Sequence, residues 1–504
     1  MKGASQGNTA WSERRGRRAL SGKASWKRRA GPHAMGGLLR GWRVALMSGP
    51  HRATLHPLCS WPPGGAPQPE FSRLFQPQNL REDEVSGLDA GGPELTCKSQ
   101  RLMLQAGLIQ PATPGCFHLL PFAVRALEKL VRLMDREMQA IGGQKVDMPA
   151  LSSAGPWRAS GRWDRMGREL FRLDDRQGHE LCLGPTHEEV VTALVASRGG
   201  LSSRQLPLLL YQVTRKFRDE PKPRFGLLRA REFYMKDLYS FDASPAAARR
   251  TYKLVGAAYG RLFERLGLPV VRVQADTGHI GGSESHEFQL PAGVGEDRLA
   301  LCPGCGFAAN AETLAPAAGP PACPACGGPL TESKGIELGH TFYLGARYSS
   351  VFGATVAGAD GRPLPAEMGC YGLGVSRILA AAVEVLSPED CLRWPLPLAP
   401  YRVCLIPPKK GSREAGASVE ALRARLLATA PQLQGEILLD DRTQLTIGRR
   451  LKDAQKLGYP FVVVAGRKVL EDPPLYEVWC QDTGQVRLLS EEGVVELLRT
   501  TEVV

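Results

Sequence analysis

The chain has 504 residues, 43% of them hydrophobic and 23% charged, and no uninterrupted apolar run near the length of a membrane span. That composition predicts a soluble, globular chain of several domains, and no membrane-spanning helix is expected. The formal net charge of +13 is uneven: residues 1–69 hold twelve Lys/Arg against one acid, Glu13, so the rest of the chain is close to neutral.

The arm, residues 1–70, is rich in Arg, Ser, Gly and Pro and lacks the apolar core of a secretory signal. Its Arg-rich, acid-poor composition is that of an organellar transit peptide. A disordered basic tail touching nucleic acid is the competing reading. Met35 opens "MGGLLRGWRVALMS", which mixes apolar and basic residues like an amphipathic targeting helix and offers a second translation start. "PPGGAPQP" (62–69) closes the arm.

Leu127, Leu130, Val131, Met134, Met138 and Ile141 fall on one helical stripe, so a helix is predicted over 121–141, with Pro121 in its first turn and Gly142-Gly143 at its exit. "QKVDMP" reads as a short strand ending at Pro149. Residues 157–183 alternate polar and apolar around "DDRQG" and read as strands. "GPTHEEVVTALVAS" (184–197) opens a helix, with Thr186 and Glu189 spaced as a capping box. Residues 208–242 read as a β-hairpin around "EPKPRFG", 245–266 as a helix and 269–276 as a strand. A Cys/Pro/Gly-rich island covers 302–330, strands return over 336–356, and "YGLGVSRILAAAVEVL" (371–386) reads as a Gly turn feeding a helix. "WPLPLAPY" (394–401) reads as a Pro-stiffened linker. Beyond it, "RVCLIP", "GEILLD" and "PFVVVAG" alternate with helical patterns at about 413–429 and 445–457. They predict a separate α/β domain.

The hairpin carries the strongest chemical signal. "RKFRDEPKPRFGLLRAREFYMKD" (215–237) has eight Lys/Arg and four Asp/Glu with aromatics threaded between them. In a strand, residues two apart share a face. Arg218 and Glu220 then point one way from the first strand, and Arg229, Arg231 and Phe233 share a face on the second. Guanidiniums bind phosphate oxygens in a planar fork, a ring offers a stacking surface for a base, and a carboxylate accepts from an amine. A charged hairpin with cross-strand ion pairs is the plain alternative. A second element, "GCYGLGVSR", sets Gly372 and Gly374 before a helix with Arg377 on its first turn, a place where backbone can approach an anionic ligand.

Joined, these segments resemble the class II aminoacyl-tRNA synthetases. The 121–149 segment is similar to their motif 1, 212–237 to motif 2 and 369–386 to motif 3. "CLGPTHEEV", "IGGSESHEF", "GIELGHTFYLGARYS" and "MGCYGLGVSR" bring the resemblance, over roughly residues 72–504, to prolyl-tRNA synthetases of bacterial type. The basic arm adds a likeness to mitochondrial members. The resemblance implies an α+β catalytic domain built on an antiparallel sheet (71–395) and an α/β anticodon-binding domain (396–504). It implies activation of L-proline by ATP with Mg²⁺, transfer to tRNA(Pro), a homodimer through motif 1 and residence in the mitochondrial matrix. Arg218 and Arg377 would be catalytic. Arg218, Glu220, Arg229, Phe233, Gly372, Gly374 and Arg377 would hold ATP. Thr186, Glu188, His340, Phe342 and Cys370 would hold proline, with Glu188 supplying the negative charge that an ammonium needs beside the positive end of a helix. Lys222 and Arg224, in the motif 2 turn, would meet the tRNA acceptor end. Arg442, Arg449, Arg450, Lys452 and Lys456 would be phosphate contacts or an ordinary solvated helix face. Two other readings stand beside this one: a sibling synthetase for another small amino acid such as threonine, and a non-catalytic, synthetase-like nucleic-acid-binding accessory subunit.

The chain departs from the family in one place. Fewer than fifty residues separate "SHEF" (285–288) from "GIELGH" (335–340), where many bacterial-type members carry a large editing insertion. No alanyl-tRNA hydrolysis is expected. At about 300–332 the interval instead holds Cys302, Cys305, Cys323 and Cys326, spaced C-x₂-C-x₁₇-C-x₂-C. That is zinc-ribbon spacing and predicts a structural Zn²⁺ site, with reduced free thiols or a redox pair as alternatives.

Overall fold

In the computed structural model, residues 68–75, 96–314, 322–358, 361–411 and 413–501 are described. The basic arm, including the Met35 segment, lies outside them apart from its last few residues. Helix α1 (Pro121–Ala140) forms where the apolar stripe predicts it and buries Leu130, Met134 and Met138. Strands β1 (Leu208–Phe217) and β2 (Glu232–Asp242) pair antiparallel, with Gln212 opposite Asp237. Helix α3 (Pro245–Arg265) starts at Ser244, whose side chain accepts from the Ala247 N–H, and packs behind the sheet. Helix α2 (Glu188–Ala196) precedes the hairpin.

The sheet is completed by β3 (Glu284–Pro291), β4 (Thr331–Gly345) and β5 (Glu367–Gly374). Nine strands are joined in it among the described residues, and the central run β3–β4–β5–β2–β1 is antiparallel throughout. Short parallel pairings occur towards the edges, such as Gln144 with Leu210. Helix α4 (Val375–Leu386) leaves β5 directly and packs with α1 and α3 into one apolar layer behind the sheet.

The C-terminal region is an α/β unit. Strands β6 (Val403–Ile406), β7 (Ile437–Leu439) and β8 (Phe461–Val464) run parallel, and β9 (Tyr476–Cys480) and β10 (Gln485–Leu489) extend the sheet antiparallel. Helices α5 (Arg413–Thr429), α6 (Ile447–Leu457) and α7 (Glu491–Thr500) accompany them. A short segment ahead of the catalytic region also docks here. The Leu439 N–H donates to the Pro69 carbonyl (3.1 Å), the Ser72 N–H donates to Asp441 (2.8 Å), and Phe71 is buried beneath the Arg442 guanidinium at 3.8 Å.

Several sequence expectations are corrected. Residues 157–183 begin in two short helices, Ala154–Ala159 and Arg162–Arg165, before the strands Arg172–Asp174 and Glu180–Leu183. Trp157 and Trp163 close a small core with Met166, Leu170 and Cys182, and that packing overrides the alternating pattern. Gly372 and Gly374 lie within β5 rather than in a turn. The 394–401 stretch is no exposed linker: Leu398, Ala399 and Tyr401 are buried. Tyr401 packs on Phe122 of α1, and the Lys129 ammonium sits between the Ala399 carbonyl and Glu436. Burial lowers Lys129 to about 8, against the pull of Glu436.

Candidate active site

Alternation along two neighbouring strands builds the wall of a single cavity. Phe233, Met235, Asp237 and Tyr239 share one face of β2, and Cys370, Gly372 and Gly374 share one face of β5. Their register sets Cys370 against Tyr239, Gly372 against Asp237 and Gly374 against Met235. All seven line a cavity of about 520 Å³. The even-numbered residues of β2 face the other way, where Leu238 and Lys236 are fully buried.

The residues expected to hold ATP and proline, Thr186, Glu188, Arg218, Glu220, Arg229, Phe233, His340, Phe342, Cys370, Gly372, Gly374 and Arg377, all reach this one cavity. Lys222 and Arg224 do not line it. Lys222 is exposed at the turn, while Arg224 is half-buried, ion-paired with Glu296 (2.6 Å) and lying over Phe225.

The way they arrive differs from the strand argument. Strand pairing of β1 and β2 stops at Phe217 and Glu232: the Arg218 N–H still donates to the Arg231 carbonyl, but the Arg231 N–H is diverted to the Gly115 carbonyl. Arg218, Glu220, Arg229 and Arg231 are therefore loop residues. The Arg231 guanidinium pairs with Asp219 and covers Phe171, away from the cavity. Arg218 does stay with Phe233, its guanidinium 5.4 Å from the ring centre, and its nearest carboxylate, Glu169, is 3.7 Å away. Arg229 bonds Glu220 (2.9 Å) and Glu296. Arg377 donates to the Leu228 carbonyl (2.9 Å) and to Glu337, tying α4 to the motif 2 loop.

Around Glu188 the site is buried and charged. Glu188, Glu189 and Arg162 are buried almost completely, and Arg162 bonds both carboxylates and the Thr186 hydroxyl. The Thr186 hydroxyl in turn donates to Glu188. The expected capping box is absent: helix α2 begins after His187 with no side-chain cap, since Thr186 is committed to Arg162 and Glu188. Burial pushes Cys370 and Tyr239 well above their usual ranges, so both are neutral there.

Beneath Gly372, Asp237 pairs with the buried Lys216 (2.8 Å) and accepts from Gln212 and Tyr239 (2.9 Å each). On β4, His340 stacks on Phe342 at 3.9 Å and meets Ser285, Glu337 and Glu287. Burial first, then the nearby Glu337, raises the Glu287 carboxyl. Arg162, Glu169, Glu287, Glu296 and Glu337 are site residues that the sequence reading missed. Only the i, i+3 spacing of Glu337 and His340 offered a signal.

Gly372 has a spatial meaning. A Cβ there would meet only ordinary contacts, Met235 Sδ at 3.8 Å and the His340 carbonyl at 4.0 Å. The protein's own packing does not demand glycine, so its effect is to leave cavity volume open.

Residues 171–386 match the model of the class II tRNA synthetase core domain (G, H, P, S and T), and 402–501 match an anticodon-binding domain. A protein described as a probable mitochondrial proline–tRNA ligase of Homo sapiens is 66% identical over 436 residues, covering 86% of this chain and 91% of that one. This chain belongs to the proline–tRNA ligases. A ligase of that family from Desulfitobacterium hafniense is 33% identical, covering 78% of this chain and 93% of its own. That alignment runs over 545 positions, more than this chain has, so the bacterial ligase carries residues that this one lacks. The prolyl-tRNA synthetase of Giardia lamblia, solved with prolyl-adenylate, superposes with a TM-score of 0.65 at 19% identity, covering 79% of this chain and 74% of that one, a likeness of fold.

Proposed function

We propose that this ligase activates L-proline with ATP to prolyl-adenylate and passes the prolyl group to the 3′ end of mitochondrial tRNA(Pro). One observation carries the reading: a single cavity joins a buried carboxylate, Glu188, to an arginine stacked on an aromatic ring, Arg218 on Phe233. The first suits a secondary ammonium and the second suits a phosphate beside a base.

In this reading proline's carboxylate attacks the α-phosphorus, an O–P bond forms, and the bond to the leaving pyrophosphate breaks. The carboxylate is already ionised, so no general base is needed. The chain's part is in-line positioning and charge stabilisation. Arg218 would meet the α-phosphate and the proline carboxylate. Phe233 would stack on adenine, Glu220 would accept from its amine, and Arg229 and Arg377 would hold the outer phosphates. Thr186 and Glu188 would grip the imino nitrogen, with His340, Phe342 and Cys370 around the ring. A small apolar pocket rejects a smaller substrate by only ~1–3 kcal/mol, so alanine leaks in. With no room for an editing domain between Phe288 and Gly335, hydrolysis of alanyl-tRNA(Pro) is not expected; brisk deacylation by purified enzyme contradicts this.

Two metals fit residues present here. Glu287, Glu337 and His340 bring ligand atoms within 4.8 Å of one another beside Arg377, and the two carboxylates give the oxygen donors that Mg²⁺ prefers. Mg²⁺ held there would neutralise phosphate charge. Cys302 and Cys326 sulfurs are 3.6 Å apart and those of Cys305 and Cys323 3.5 Å. Four thiolates at about 2.3 Å around one tetrahedral ion stand about 3.8 Å apart, so structural Zn²⁺ fits. Lys222 and Arg224 at the tRNA acceptor end, the homodimer through 121–149 and the matrix location rest on the family resemblance.

The test is ATP–pyrophosphate exchange across a panel of amino acids, with wild type, Arg218→Ala and Glu188→Ala. Exchange should depend on proline and collapse in both variants. Exchange driven by threonine, or full activity in Arg218→Ala, would overturn the reading.

A further inference from the structure

We infer that Arg162 is a positioning residue that sets the charge at the proline end of the cavity, by taking Glu189 as its counter-ion and leaving Glu188 for the substrate. This rests on the reading that Glu188 receives the imino nitrogen.

Arg162, Glu188 and Glu189 have side chains 1%, 2% and 0% exposed. Two buried carboxylates on successive residues do not both ionise unaided. One guanidinium serves both: Arg162 Nη1 lies 2.9 Å from Glu188 and 3.0 Å from Glu189. The two carboxylates are not equivalent. Glu189 also accepts from the Ser160 hydroxyl at 2.7 Å and does not line the cavity. Glu188 does line it, as do Arg162 and Thr186. The same guanidinium donates to Thr186 at 3.0 Å, so that hydroxyl's proton points at Glu188. Trp157 backs the guanidinium at 4.8 Å. Neighbouring charge does not disturb the count, since Asp237 is neutralised by Lys216 and Cys370 is held neutral by burial. Burial raises the Glu189 carboxyl, against the pull of Arg162 and the Ser160 hydroxyl. In the inferred state Arg162 keeps it ionised, and one cation with two anions leaves one net negative charge, exposed to the cavity on Glu188 alone. That is the charge a secondary ammonium requires.

The inference predicts a charge rule. Proline KM should follow the uncompensated negative charge held on Glu188, while ATP KM stays within about threefold. Removing one partner of a buried pair is costly enough for effects of a hundredfold or more. Glu189→Gln, nearly isosteric, makes the trio neutral and should raise proline KM by about tenfold to a hundredfold. Arg162→Gln leaves two buried carboxylates with no cation between them, so they share a proton, the charge is no longer fixed on Glu188 and Thr186 loses its orienting donor; it should raise proline KM by about a hundredfold or more, with Arg162→Lys in between because ammonium cannot also orient Thr186. The double variant Arg162→Gln/Glu189→Gln returns the single negative charge to Glu188 and should recover at least about tenfold of the single-variant loss. The measurement is proline-dependent ATP–pyrophosphate exchange, with KM for each substrate. Glu189→Gln with unchanged proline KM, or a double variant no better than Arg162→Gln, overturns the inference even if Arg162→Gln itself folds poorly. Glu188→Ala with unchanged proline KM overturns the underlying reading instead.

Discussion

The arginines of the motif 2 loop and those of the C-terminal domain look alike in sequence and behave oppositely in the structure. Arg218 is about one-third exposed, faces a cavity, and has its nearest carboxylate at 3.7 Å. Arg442 is 3% exposed and is held by Asp440 at 2.7 Å and Asp453 at 3.1 Å. Arg450 is fully buried and donates to the carbonyls of Asp440 and Pro407. Neither C-terminal arginine is a solvated face or a phosphate contact, which corrects the expectation drawn from "DDRTQLTIGRRLKDAQK". An arginine available for a ligand is one whose own protein has not satisfied it. On α6, Arg449 is partly exposed and ion-paired with Asp453 at 3.4 Å, Lys456 is half-buried, and Lys452 is exposed.

Substitutions can break that contrast. Arg218→Ala should cost about a thousandfold in kcat/KM for exchange, about 4 kcal/mol of transition-state stabilisation, with the urea midpoint unchanged. Arg442→Ala should do the reverse: about 3 kcal/mol lost in denaturant unfolding, because Asp440 and Asp453 stay buried, with exchange kinetics intact where the protein is folded. If Arg442→Ala weakened tRNA charging without loss of stability, the contrast would fail. Gly372→Ala should fold normally and raise KM for ATP about tenfold, since the added methyl enters the cavity. Lys222→Ala should lower tRNA aminoacylation by about threefold, less at high salt, and leave exchange untouched.

Lys236 sharpens the comparison from the other side. It is fully buried, and among the described residues no carboxylate is within ion-pair distance; it donates to the Tyr371 carbonyl at 3.0 Å and to Tyr259. Burial lowers it to about 7 from the usual 10.5. Between those values the unfolded chain binds more protons than the folded one, so this group makes the fold gain stability as pH rises through that window. Lys236→Met should flatten the slope of unfolding free energy against pH above 7. A slope equal to wild type would show that Lys236 is not its source.

Periodicity made α1, the hairpin and the C-terminal strands legible, because their apolar residues recur at one spacing over many turns or pleats. Chemistry made the cavity legible, because Arg218, Phe233 and Gly372 are residue types a core or surface would not choose together. Arg162 was not legible: in "SGRWDR" an isolated arginine looks solvated, and only tertiary packing under Trp157 buries it. The stretch "WPLPLAPY" failed for the same reason, since leucine and proline read alike in a tether and in a buried joint.

The Phe71 segment bears on maturation. Strand β7 is the outer strand of the C-terminal sheet, and Glu70 pairs beside Leu439 along its free side. If a protease removes the basic arm, the cut therefore has a downstream limit. Cutting before Gln68 leaves Pro69, Phe71 and Ser72 to shield that edge. Cutting a few residues later would uncover a row of unpaired backbone groups and an apolar slot, a template for association with other chains.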